Sequence, residues 1–214
     1  MTTLTSSLSD PRPSVRLRAV MTAGTTPDPD DLDVLVEQCA IEPDLQVREV
    51  LTWALVRLPA ELVVPRLVEQ LARPEPQARS QALHTLSKIG DRSVYPAVAE
   101  LLGDLDHGVV RTAWRASVRL VPDDGRPALA RRLARDLGHG DRETRLALGR
   151  ALVDLGEDVV APVLDEAQQR QGDGVREHVE DVRRLLRDPD AASSLALERA
   201  RREVALGRTR SATG

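Results

Sequence analysis

The sequence predicts an all-α solenoid of five to six stacked helical hairpins. Three observations predict it. A two-residue seed ending in arginine recurs through most of the chain at nearly constant spacing. A helix breaker follows the first five of these seeds at a fixed distance. The chain has no Phe, one Tyr and two Trp, so it lacks the aromatic side chains that strands use. A core of Leu, Val and Ala suits closely packed helices instead.

The seeds are Val15-Arg16, Val47-Arg48, Ala78-Arg79, Val110-Arg111, Thr144-Arg145 and Val175-Arg176. Eleven residues after the arginine stand Pro27, Pro59, Gly90, Pro122 and Gly156. Proline cannot continue a helix and glycine accepts a left-handed cap, so a first helix ends at each. Six residues after the arginine the side chain is small: Thr22, Ala54, Thr85, Ser117 and Ala151. Positions three, seven and ten are mainly apolar, as in Leu51, Leu55, Leu58 and Leu148, Leu152, Leu155, which is the spacing of an amphipathic helix face.

Second helices follow the breakers. Pro65, Pro96, Pro127 and Pro162 fall near their starts, where a missing N–H is no loss. Leu67, Leu71, Leu101, Leu102, Leu129 and Leu133 supply their apolar positions. Asp10, Asp44, Glu75, Asp106, Asp141 and Asp173 lie at or just before the first helices, where acids complement the dipole and cap free N–H groups. One hairpin cannot bury its own apolar face, so neighbours must stack. The expected organisation is a disordered or irregular N-terminus over 1–8, a repeat solenoid over 9–190, a capping helix over 191–207 and a disordered tail over 208–214.

The acid–Val–Arg starts, as in Asp106-His107-Gly108-Val109-Val110-Arg111, and the helix end Leu86-Ser87-Lys88-Ile89-Gly90-Asp91 resemble HEAT repeats. Within that family they resemble the bacterial HEAT-like repeats named after phycobilisome lyases. The resemblance covers roughly residues 9 to 188. It implies an α-solenoid that binds another protein, with second helices lining the concave side. The chain also resembles HEAT modules that accompany MerR-type regulators, although no DNA-binding helix-turn-helix precedes the repeats here.

Composition narrows the function. A net charge of −4 and pI near 5.7 give no general attraction to nucleic acid or anionic membranes. No apolar run reaches the roughly 20 residues of a membrane span. No signal peptide is visible, so a cytoplasmic protein is expected. The single Cys39 excludes an intrachain disulfide and reads as a small buried hydrophobe. His84, His107, His139 and His178 match no metal-ligand spacing, so no metal and no cofactor is expected.

The arginine column Arg16, Arg48, Arg79, Arg111, Arg145 and Arg176 reads as a structural ladder, each cation held by an acid or by free carbonyls of the adjacent repeat. Trp114 shares a column with Ala19, Leu51, Ala82 and Leu148 and reads as core. Trp53 shares one with Met21, His84, Ala116 and Arg150 and reads as half-exposed. Trp53, Arg57, His84 and Lys88 therefore form a candidate partner-binding patch, with tryptophan as anchor and the cations selecting an acidic or phosphorylated partner. Arg131, Arg132 and Arg135, with Arg126, form a second candidate, a basic strip beside the acidic Asp158, Asp165 and Glu166.

The expected function is a non-catalytic protein–protein interaction scaffold or adaptor, such as a partner module of a transcription regulator. Two alternatives carry other chemistry. A HEAT-like alkylpurine DNA glycosylase needs aromatic residues around an extruded base, an acid and phosphate contacts, but no acid falls beside both tryptophans. Bilin-lyase-like chromophore handling needs an aromatic cleft, which this composition does not supply.

Overall fold

The computed structural model describes residues 2–169 and 172–188, and side chains from residue 4 onward. Among the described residues every regular element is a helix. They form an all-α solenoid of helical hairpins, in two compact units that divide at Gly125 and Arg126.

The first unit begins with α1 (Thr2–Leu8), followed by α2 (Pro13–Thr25), α3 (Leu32–Ile41), α4 (Leu45–Val56) and α5 (Ala60–Gln70). It continues with α6 (Pro76–Ile89), α7 (Tyr95–Glu100) and α8 (His107–Leu120). The first helices α2, α4, α6 and α8 pack side by side in that order, and the second helices α3, α5 and α7 pack against them. The second unit contains α9 (Arg126–Leu133), α10 (Arg142–Leu155), α11 (Glu157–Gln168) and α12 (Asp173–Arg187). There α10 packs on α9, α11 and α12. No described helix is long and apolar enough to cross a membrane.

The N-terminal segment corrects the expectation of an irregular 1–8. It is helical because Leu4 and Leu8, four apart, place an apolar stripe against α2, and Leu8 is buried there. Packing overrides the weak helix preference of its Ser and Thr residues. The expected capping helix over 191–207 and the tail over 208–214 lie outside the described residues.

The helix starts follow capping chemistry. The Asp44 carboxylate accepts from the N–H groups of Gln46 and Val47, and Asp106 accepts from Gly108 and Val109 in the same way. Asp141 caps α10 through Thr144. Arg12 and Glu75 stand at the N-caps of α2 and α6 without a side-chain cap, and both helices open on proline.

Counting from the N-caps Arg12, Asp44, Glu75, Asp106 and Asp141 exposes a one-residue slip in the fourth copy. Four residues on stand Arg16, Arg48, Arg79, Val110 and Arg145, so Arg111 falls outside the arginine column. Eight residues on stand Val20, Thr52, Leu83, Trp114 and Gly149, all buried. Trp114 is therefore core, as expected, but one column over from its expected partners.

The face of the first helices

The arginine column acts on the chain's own loops. Arg16 Nη1 donates to the carbonyls of Asp10 and Pro11, Arg48 Nη1 to those of Glu42 and Pro43, and Arg79 Nη1 to those of Arg73 and Pro74. Each guanidinium thus clamps the loop that enters its own helix, at carbonyls five and six residues back. Arg145 reaches the Gly138 carbonyl, and Arg176 pairs with Asp173 at its own helix start.

Arg145 also reaches forward, lying 3.7 Å from Glu177 of α12, and Arg16 and Arg79 do so with bidentate pairs. Arg16 donates to both carboxylate oxygens of Glu42, at 2.8 and 2.6 Å. Arg79 holds Asp104 the same way, at 2.7 and 2.8 Å. Glu42 is fully buried, and burial alone would raise its carboxyl. The Arg16 pair, the Asp44 N–H and Gln38 outweigh that and hold it below the usual glutamate range. Arg79 does the same for Asp104, against a smaller burial effect. Asp104 then accepts from Asp106 N–H as Glu42 does from Asp44. The motif acid–x–Asp, in Glu42-Pro43-Asp44 and Asp104-Leu105-Asp106, therefore links one repeat's arginine to the next repeat's N-cap.

Arg48 lacks the forward partner because Arg73 occupies the corresponding loop, where it pairs with Glu37 and Glu75. The guanidiniums of Arg16 and Arg79 are thus engaged in loop and carboxylate contacts. Cys39 is buried, and burial pushes its thiol up to about 12, which leaves it inert as a nucleophile at neutral pH. Among the described residues no group of three His, Cys, Asp or Glu side chains is placed to hold a metal ion.

Nine residues after the N-caps stand Met21, Trp53, His84, Arg115 and Arg150, so Arg115 replaces the expected Ala116, which is buried. This column faces outward. Trp53 is 42% exposed although its indole lies across α2. A Cβ on the buried Gly24 would meet Trp53 Cζ3 at 2.1 Å, so only glycine leaves room for the ring. The Arg57 guanidinium lies 5.7 Å from the ring centroid. Trp53 is therefore in contact with α2 at Gly24 and with Arg57 at the end of its own helix, while still partly open to solvent.

His84 points elsewhere. Its Nε2 lies 3.7 Å from Glu49, and burial, reinforced by Lys88 and Arg115, lowers its basicity against the pull of that carboxylate. The structure joins Trp53 to Arg57, and His84 to Glu49, Lys88 and Arg115, along one helix face. It shows no direct Trp53–His84 contact among those described.

In the second unit Arg131, Arg132 and Arg135 are exposed. Arg131 and Arg135 line a shallow groove with Ala134, Val163, Glu166 and Ala167, so basic and acidic second-helix residues do share one site. Asp165 is instead paired with Arg183, and Arg126 donates to the Leu155 carbonyl.

Sequence reasoning missed Arg111, Arg115 and Arg119 as surface residues. The signal was present: the arginine spacing runs 32 and then 34 around Arg111, and Asp-x-x-Val aligns Val109 with Val47.

No curated protein matches the sequence significantly. Among solved structures, the complex of CpcE and CpcF of phycocyanin lyase from Nostoc sp. PCC7120 aligns with a TM-score of 0.49 and 19% identity, over 90% of this chain and 79% of that one. Human deoxyhypusine hydroxylase gives 0.46 and 20%, over 92% and 88%. A designed armadillo repeat protein gives 0.43 and 13%, over 86% and 98%. A family model described as HEAT repeats matches residues 1–56, 38–119 and 64–138, more than half of the sequence. With its recurring hairpins and their shared register, the chain belongs to the HEAT-repeat family.

Proposed function

We propose that the protein is a non-catalytic interaction scaffold whose protein partner docks on the first-helix face around Trp53, Arg57, His84 and Lys88. The observation that carries this reading is the state of Trp53. A large aromatic side chain is seated on Gly24, braced by Arg57 and still 42% exposed. Fixing the ring in advance lowers the entropic cost of using it as an anchor. Met21 and Val56, 51% and 42% exposed, extend the apolar area on either side of it. The arginine column supports the same reading from the other direction, because cations that hold loops together are not available to grip a ligand.

Affinity capture with the wild-type chain and Trp53→Ala tests the proposal. The expected result is a protein retained by the wild type and lost from the variant, with both equally folded by circular dichroism. An identical retained set from both chains contradicts it.

A further inference from the structure

The cap-based register places three residues of each first helix in equivalent positions along one side. Five, nine and thirteen residues after the N-cap, α2 carries Leu17, Met21 and Thr25, and α4 carries Glu49, Trp53 and Arg57. At the same positions α6 carries Ser80, His84 and Lys88, and α8 carries Arg111, Arg115 and Arg119. Positions four apart share one side of a helix, and these four helices pack side by side, so the columns form one continuous face.

That face is polarised. Its α2 end carries Leu17, Met21 and Thr25 in these columns, with Arg18 beside them, and its centre holds Trp53. Its α8 end is a row of three arginines, which the slip at Val110 turns outward. Across it, Arg57, Lys88, Arg115 and Arg119 stand near one carboxylate of these columns, Glu49, in a chain whose net charge is −4. Glu49 lies 3.7 Å from His84 Nε2 and keeps its negative charge, so the face carries a net positive charge of several cations against one acid. No ion pair among the described residues ties down Arg57, Lys88, Arg115 or Arg119. Burial lowers the basicity of His84, and Lys88 and Arg115 add to that effect against the pull of Glu49.

We infer that this face takes an acidic segment of a partner protein, extended across the first helices, with an apolar residue against Met21, Trp53 and Val56 and Asp/Glu side chains over Lys88, Arg115 and Arg119. This rests on the proposed function and specifies its partner's chemistry and direction. Neighbouring helices lie about 8–10 Å apart, so α2 to α8 spans about 27 Å. An extended chain at ~3.3 Å per residue covers that with about eight residues. Duplex nucleic acid fits less well. It needs cations tracking phosphates along a long surface, whereas here the cations fill one end, an apolar area fills the other, and the whole molecule is acidic.

The probe is a fluorescein-labelled synthetic peptide, Leu-Leu followed by a run of about seven glutamates, enough to span the face. Its anisotropy is titrated with the full chain, with Trp53→Ala, and with the double variants Arg115→Glu/Arg119→Glu and Arg115→Gln/Arg119→Gln. Folding of each is confirmed by thermal melting, and the glutamine pair covers any instability of the glutamate pair. The expected result is saturable binding that salt weakens and the glutamate pair weakens at least tenfold. The glutamine pair should lose less, and Trp53→Ala should lose at least threefold. A peptide with lysines in place of glutamates should not bind.

Binding sensitive to Trp53→Ala but indifferent to both arginine pairs overturns the acidic-segment inference and leaves the Trp53-centred function standing. Indifference to all variants, or no saturable binding at low salt, overturns the inference, and loss of the captured protein in Trp53→Ala then still decides the function separately. Tighter binding of a duplex DNA through the same arginines overturns it in favour of nucleic acid.

Discussion

Glu42 receives the Arg16 guanidinium at both carboxylate oxygens, at 2.6 and 2.8 Å, with the acid fully buried and the base 6% exposed. The same residue's carbonyl accepts from Arg48, so one loop residue joins the arginines of two successive repeats. Removing one partner leaves an uncompensated charge, which is the expensive way to break a buried pair. Glu42→Gln is expected to cost about 3 kcal/mol in urea unfolding. The double variant Arg16→Met/Glu42→Leu should recover only part of that, because the Asp44 N–H and Gln38 also lose their acceptor.

Acid should expose the same device. Glu42 and Asp104 are held below their ordinary values of 4.5 and 3.8, so each favours the folded state when ionised. That contribution is complete above the ordinary value and is lost as pH falls through the lower folded one. The melting temperature is therefore expected to hold steady from neutral pH to about 5 and to drop below it. In Glu42→Gln the drop should be shallower. An equally steep drop would show that other carboxylates carry the acid sensitivity.

Gly24→Ala should act on Trp53. The new Cβ would stand 2.1 Å from Cζ3, so the indole has to leave its seat. A loss of about 1–3 kcal/mol is expected, with a red-shifted tryptophan emission. Unchanged emission would mean that the ring is not held by α2.

Trp114 differs from Trp53 in kind. It is 2% exposed, and its Nε1 has no hydrogen-bond partner among the described residues. Trp114→Ala should cost about 3–5 kcal/mol through the cavity it leaves. Trp114→Phe removes the unpaired donor along with some volume, so calorimetry should find a cost below about 1.5 kcal/mol.

The hairpins were legible in the sequence because the arginine seeds and the Pro/Gly breakers recur where packing demands them. The clamp itself was not legible, since its acceptors are backbone carbonyls of Asp10, Pro11, Glu42 and Pro43 that any side chains could have supplied. The helix over Thr2–Leu8 was hidden because only Leu4 and Leu8 mark it among Ser and Thr. The partial exposure of Trp53 was legible from register, whereas the register of α8 was misread by one residue. Val109-Val110-Arg111 offers two valines as the seed; the Asp-x-x-Val spacing points to the first, and the N-cap bonds of Asp106 fix it. A slip of one residue turns a helix by about 100°, which is enough to move Arg111 from the ladder to the open face.

The most direct test of the first-helix face is a hydrogen-exchange footprint of the chain with its captured partner bound. Slowed exchange on α4, α6 and α8, with α3, α5 and α7 unchanged, is the expected result. Slowed exchange confined to α3, α5 and α7 would place the partner on the second helices and contradict the account.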